Sequence, residues 1–227
     1  MSDLHELNRI AAGGRSSSTV STSANKVLRN TYSLLGLTLL FSAFTAFAGM
    51  AMGLGHGAAL VMMIAAIGIL WFVLPRSINS SMGLVWTFVF TGLLGGSLAP
   101  MLSLYVGAGM GGLVLQALGG TAVIFFGLSA YALVTRKDFS FMGGILFVGL
   151  LVALVAMLAN IFLHIPMLSV VISSVVILIM SGYILFDTSR IIHGGETNYI
   201  RATVSLYLNI FNIFVHLLSI LGIMNDD

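Results

Sequence analysis

The chain has 227 residues, of which 59% are hydrophobic and only 7% charged, and its mean hydropathy is +1.10. Soluble domains carry about 25% charged residues, so this chain cannot clothe a globule in polar surface, and a soluble fold is excluded. The net charge of +2 gives no basic footprint for nucleic acid, and the absence of cysteine excludes disulfides and thiolate metal centres.

Residues 1–25, "MSDLHELNRIAAGGRSSSTVSTSAN", are polar and rich in Ser and Gly, a composition expected of a flexible tail. No short apolar stretch with a small-residue cleavage site precedes the first long apolar run, so no removable signal peptide is expected. From residue 32 onward, apolar runs of the length needed to cross about 30 Å of hydrocarbon follow one another. They are continuous, where a membrane barrel would show alternating segments of about ten residues. The expected fold is therefore all-α, a polytopic bundle of seven transmembrane helices at roughly 32–53, 56–74, 83–105, 111–135, 140–163, 167–189 and 202–223. The breaks "GLGHG", "PRSINSS", "VGAGMGG", "TRKDFS", "LHIP" and "HGGETNY" carry loop chemistry. Pro75 and Pro166 fall at span edges, where a missing N–H costs little, and Pro100 falls inside the third span, where a kink is expected.

The nine basic residues orient the spans. Arg9, Arg15, Lys26 and Arg29 precede the first; Arg76 lies between the second and third; Arg136 and Lys137 follow the fourth; Arg190 and Arg201 flank the last loop. With seven spans all nine lie on one side, which is the cytoplasmic side. The amino terminus is then inside and the terminal "MNDD" outside. A six-span arrangement with a re-entrant last segment moves only the carboxyl terminus, and the basic residues do not distinguish the two. Gly92 with Gly96, and Gly107 with Gly111, repeat at the four-residue spacing that lets helices approach closely.

Ionisable groups in a bilayer cost about 2.5–3.5 kcal/mol at its centre, so they are the first candidates for function. Asp187 lies near the cytoplasmic end of the sixth span, with Arg190 at i+3 as a ready ion-pair partner. In the seventh, Ser205, Asn209, Asn212, His216 and Ser219 recur at spacings of 4, 3, 4 and 3, a polar stripe down one helix face. Such a stripe faces the bundle interior, either as interhelical hydrogen bonds or as part of a proton- or cation-linked gate. "GLSAY" (127–131) with His216 is a poor serine–histidine pair, because Ala130 stands where a glycine is wanted. A membrane aspartyl protease needs two carboxylates, and only Asp187 is within reach. His56 and His164 make a weak metal site without a carboxylate. No catalysis, cofactor or metal is expected.

The blocks "KVLRNTY" (26–32), "LGGTAVIFFGLSAY" (118–131), "TRKDFSFMGG" (135–144) and "ILFDTSRIIHGGETNYIRATVSLYLNIFNIF" (184–214) strongly resemble the Bax-inhibitor (TMBIM) family, and most closely its bacterial YccA-like branch. The resemblance covers nearly the whole chain after residue 25. It implies six helices around a central one, in a bacterial inner membrane. It also implies a partnership with the membrane-anchored ATP-dependent protease FtsH, as modulator and as substrate, for which the amino-terminal tail is a handle. Other members of the family are linked to a pH-sensitive calcium leak closed by two aspartates that share a proton, one on each of the last two helices. The first corresponds to Asp187 and the second to position 209, where this chain has Asn209. An Asp–Asn pair can hydrogen-bond but cannot share a proton between carboxylates. The two expected functions are thus protease modulation and, alternatively, a calcium, cation or proton leak gated at Asp187 and Asn209.

Overall fold

The computed structural model describes residues 2–225, with side chains from Ser23 to Asn225. The expected tail over 1–25 falls almost wholly outside the described side chains. Among the described residues, seven helices are long and apolar enough to cross a membrane: α1 Ser23–Ala51, α2 His56–Ser77, α3 Ser81–Gly107, α4 Gly111–Thr135, α5 Ser140–Leu163, α6 Pro166–Ile192 and α7 Tyr199–Asn225. The backbone of α1 continues as helix towards the amino terminus as far as Ser2. No strand occurs among the described residues. The seventh segment is a single uninterrupted helix of 27 residues, long and apolar enough to span.

α7 is the central element. It packs against α1, α3, α4 and α6, while α2 reaches the bundle through α3 and α5 through α6. The sealed core along it is Leu206, Tyr207 and Ile213, in one cluster with Leu35 of α1, Phe90 of α3 and Ile184 of α6, while Leu218 is sealed in a second cluster with Ala46, Leu102 and Ala117. The outer helices turn Ile64, Trp71 and Phe72 (α2) and Val148, Val152 and Val155 (α5) outward. Exposed apolar surface on this scale is stable only against lipid.

Local irregularities have sequence causes. α1 ends at Ala51 and the chain turns at Gly53, whose φ of +65° is a conformation open to glycine. Its neighbour Leu54 donates its N–H back to the Gly49 carbonyl at 3.0 Å. Pro75 does not end α2 as its place at the span edge predicts. The helix widens into a π turn over Ile69–Val73 and runs on to Ser77, with the Arg76 guanidinium donating to the Phe72 carbonyl. π turns absorb such interruptions inside helices. The kink expected at Pro100 is present: α3 breaks after Ser97 and restarts at Ala99, because Pro100 has no N–H to give the carbonyl four residues back. The α5–α6 turn is held by Asn160, whose side chain accepts from Ile165 N–H at 3.2 Å and donates to Ser169 at 2.6 Å.

Of the two glycine pairs, one packs and one does not. A Cβ on Gly92 would lie 2.6 Å from the Phe41 ring, and one on Gly96 3.0 Å from Met62. Gly95, outside the four-residue pattern, is tighter than either, with a Cβ placed 2.2 Å from the Ser42 carbonyl oxygen. Nothing approaches Gly107 or Gly111 within 4 Å. They border the α3–α4 turn, so their spacing has no packing role.

Candidate functional site

Three polar positions of α7, Ser205, Asn209 and His216, bond to α6, its most extensive neighbour. Asp187 is buried, with 8% of its surface exposed. Its Oδ2 accepts two hydrogen bonds, from Ser205 Oγ at 2.6 Å and from Asn209 Nδ2 at 2.8 Å. Ser205 and Asn209 are one helical turn apart, so both reach one oxygen of a residue on the facing helix. Asn209 is itself buried. Donors of this kind replace the water that a carboxylate loses on burial. The site lies where the carboxyl end of α6 meets the amino end of α7, whose helix dipoles act on a negative charge in opposite senses.

Arg190 does not pair with Asp187 as the i+3 spacing suggests. It donates to the Gly195 carbonyl at 3.0 Å and lies over the Phe186 ring, 5.5 Å from its centre, a cation–π arrangement. Both residues nevertheless wall a cavity of about 110 Å³, shared with Glu196, Arg201, Ala202 and Ser205. Glu196 brings a second carboxylate that the spacing analysis did not single out. It is buried, its side chain accepts from Asn198 N–H at 2.9 Å, and it stands 3.8 Å from Arg201 in the one ion pair among the described residues. A lone acid in a polar loop carries no sequence signal that it will fold inward.

The stripe on α7 is not one network. Asn212 donates to the Leu208 carbonyl of its own helix at 2.8 Å. His216 Nδ1 meets Ser173 Oγ of α6 at 3.0 Å. Ser219, half-buried, joins neither set. Ser129 Oγ is buried without a hydrogen-bond partner, so His216 is not its base and the pair does not form.

Three further anchors hold the site and its surroundings, and none was among the sequence candidates. Asn198 caps α7: its side-chain oxygen accepts from the N–H groups of Ile200 and Arg201 at 2.9 and 3.1 Å. Its Nδ2 donates to the Ile78 carbonyl and to Asn79, which pins the start of α7 to the α2–α3 turn. On the α7 face turned to α1, the Tyr207 hydroxyl lies 2.6 Å from Ser42 Oγ and donates to the Thr91 carbonyl at 3.2 Å. Ser189, beside the site, accepts from Phe139 N–H at 2.9 Å and so ties down the α4–α5 turn.

A seven-span helical bundle whose central helix carries the partners of a buried carboxylate defines the class of this molecule: a polytopic membrane protein built around the α6–α7 seam. Comparison with known proteins gives the family. Residues 24–226 match the family model described as inhibitor of apoptosis-promoting Bax1, and the chain belongs to that Bax-inhibitor family. It is 59% identical over 204 residues to an uncharacterized membrane protein of Vibrio cholerae, covering 89% of this chain and 92% of the relative. It is 54% identical over 205 residues to the Escherichia coli K12 protein named modulator of FtsH protease YccA, covering 90% and 93%. The same figures hold for the E. coli O6:H1 protein named inner membrane protein YccA. That name agrees with the seven spans, and the chain is a multi-pass inner-membrane protein.

Proposed function

We propose that this protein binds and modulates an FtsH-type membrane-anchored protease in the bacterial inner membrane, has no catalytic chemistry of its own, and is itself a substrate engaged through residues 1–25. The observation that carries this reading is the 54% identity, over nine-tenths of both chains, with the relative named as a modulator of that protease. The fold is compatible with it. Anchors at Asp187, Tyr207 and Asn198, the first two buried, make a bundle that resists being pulled apart, and resistance to extraction is one way to slow a processive protease. The test is reconstitution of the purified chain with an FtsH-type protease in vesicles, following degradation of a separate membrane substrate. A slowed rate is expected, and deletion of residues 1–25 should stop degradation of the chain itself while leaving it inserted. A substrate rate unchanged at saturating amounts of the chain would overturn the proposal.

A second reading, a cation or proton leak gated at Asp187, is favoured by one observation: the buried carboxylate forms part of the wall of a cavity that also holds Glu196 and two arginines. Calcium and proton flux into vesicles, measured beside Asp187→Asn, tests it. Flux at the level of empty vesicles from folded protein would remove the leak reading.

A further inference from the structure

The face of α7 turned away from Asp187 is not closely packed along its whole length. A groove of about 400 Å³ runs between α1, α3, α4 and α7. α1 and α4 make no close backbone approach. The rings of Tyr32 and Phe125 meet at 5.9 Å and close the groove towards the end of the bundle that carries the basic residues. Beyond them the two helices stand apart. The mouth between them is flanked by Phe47 and Phe126, 70% and 66% exposed, so it is continuous with the lipid-facing surface.

Three features decide what fills it. First, the polar groups in its wall are already satisfied: Ser42 and Tyr207 bond each other at 2.6 Å, and Thr121 donates to the Ala117 carbonyl at 2.7 Å. Water needs two to four polar partners to occupy a buried site, and the remaining wall is Leu, Ala, Val, Ile, Met and Phe. Second, the groove has the depth of one leaflet. On α1 it extends from Leu39 to Met50, about 16 Å at 1.5 Å per residue, which is half of a hydrocarbon core about 30 Å thick. Third, it opens sideways into the membrane.

We propose that this groove is a binding site for a phospholipid acyl chain, entering between α1 and α4 from the leaflet opposite the basic ends of the helices. Tyr207 lies at its inner wall, between Ser205 and Asn209 in sequence, so an occupying chain bears on the helix that holds the Asp187 cluster. This site is independent of the protease and leak readings, because it rests on the wall chemistry and depth of a different face of α7.

The experiment uses the full chain in vesicles of phosphatidylethanolamine and phosphatidylglycerol, doped with a phospholipid that carries a photoactivatable diazirine midway along one acyl chain. After illumination, labelled peptides are mapped. Labelling over 42–47 and 118–126 should exceed by several-fold that of the lipid-facing α5 positions Val152 and Val155. Ala43 and Ala122 line the groove with exposed side chains. The double variant Ala43→Phe, Ala122→Phe should therefore fill the groove and remove its labelling while α5 labelling persists. Groove labelling no stronger than that of α5 in the parent protein would overturn the proposal, whatever the variant does. So would groove labelling that persists in the filled variant, or protein–protein cross-links at the groove, which would make a second copy the occupant.

Discussion

Asn209 Nδ2 lies 2.8 Å from Asp187 Oδ2, and this contact joins the last two helices at a point where both side chains are buried. One partner carries the charge and the other supplies a donor, with Ser205 as a second donor to the same oxygen. Asn209→Asp would place two carboxylates within hydrogen-bond distance, where they must share one proton or repel. The unfolded chain keeps the two acids apart and gives up its protons at lower pH than the folded pair. Folded protein therefore holds the extra proton, and stability falls as pH rises. Melting of the purified variant should drop from mildly acidic to mildly alkaline pH more steeply than that of the parent. Parallel profiles would show that the two side chains are not coupled.

Asp187→Ala removes the acceptor for both donors and leaves the buried Asn209 amide and the half-buried Ser205 hydroxyl without it. An unsatisfied buried group costs about 1–3 kcal/mol, so the variant should melt well below the parent. Asp187→Asn retains an acceptor oxygen and should fall between the two. Thermal unfolding in detergent, followed by size-exclusion chromatography, ranks the three.

Gly95 leaves no space for a side chain, with the Ser42 carbonyl 2.2 Å from where a Cβ would stand. Gly95→Ala should force α1 and α3 apart and cost about 1–3 kcal/mol, the usual range for overpacking. Gly127, mid-helix in α4 with nothing within 4 Å, is the control. Gly127→Ala should be neutral or stabilising by up to about 1 kcal/mol. Equal melting of the two variants would show that the α1–α3 contact is not tight.

The Tyr207 hydroxyl bonds Ser42 and the Thr91 carbonyl in a sealed setting, so Tyr207→Phe should lose about 0.5–1.5 kcal/mol. Ser42→Ala should lose a similar amount. The double variant should lose less than the sum of the two, because both delete one shared bond. Strict additivity in a double-mutant cycle would separate the two hydroxyls.

Asn198→Ala removes the cap of α7 and its tie to the Ile78 carbonyl. The cap alone is worth about 0.5–2 kcal/mol. The first turn of α7 should fray, and amide hydrogen exchange at Arg201 to Thr203 should quicken while exchange around Ile213 stays slow. Uniform exchange along α7 would show that the cap does not hold that end.

The number of helices, their order and their alternating direction were legible in the chain itself, because hydrocarbon offers the backbone no partner and forces each apolar run into a self-satisfied helix. The same rule made Asp187 and the polar positions of α7 conspicuous, since a charge or amide among Leu, Ile and Phe has to find a partner inside the bundle. Ser205 and Asn209 share a face by helical period alone. What period does not set is how deep a helix sits against its neighbour or how it is turned. Packing decided that Asp187 bonds across to α7, and that Arg190 turns to Gly195 and the Phe186 ring instead of one turn back along its own helix. It also sent His216 to Ser173 and Asn212 to its own backbone, dividing a stripe that is continuous in one dimension. Gly95 meets α1 more closely than Gly92 or Gly96 meets its neighbour, because the approach depends on the crossing geometry of two helices and not on a spacing within one. Glu196, the Ser42–Tyr207 pair and the groove between α1 and α4 exist only in three dimensions: each joins atoms from segments far apart in the chain, and no local pattern encodes which distant surface a side chain will meet.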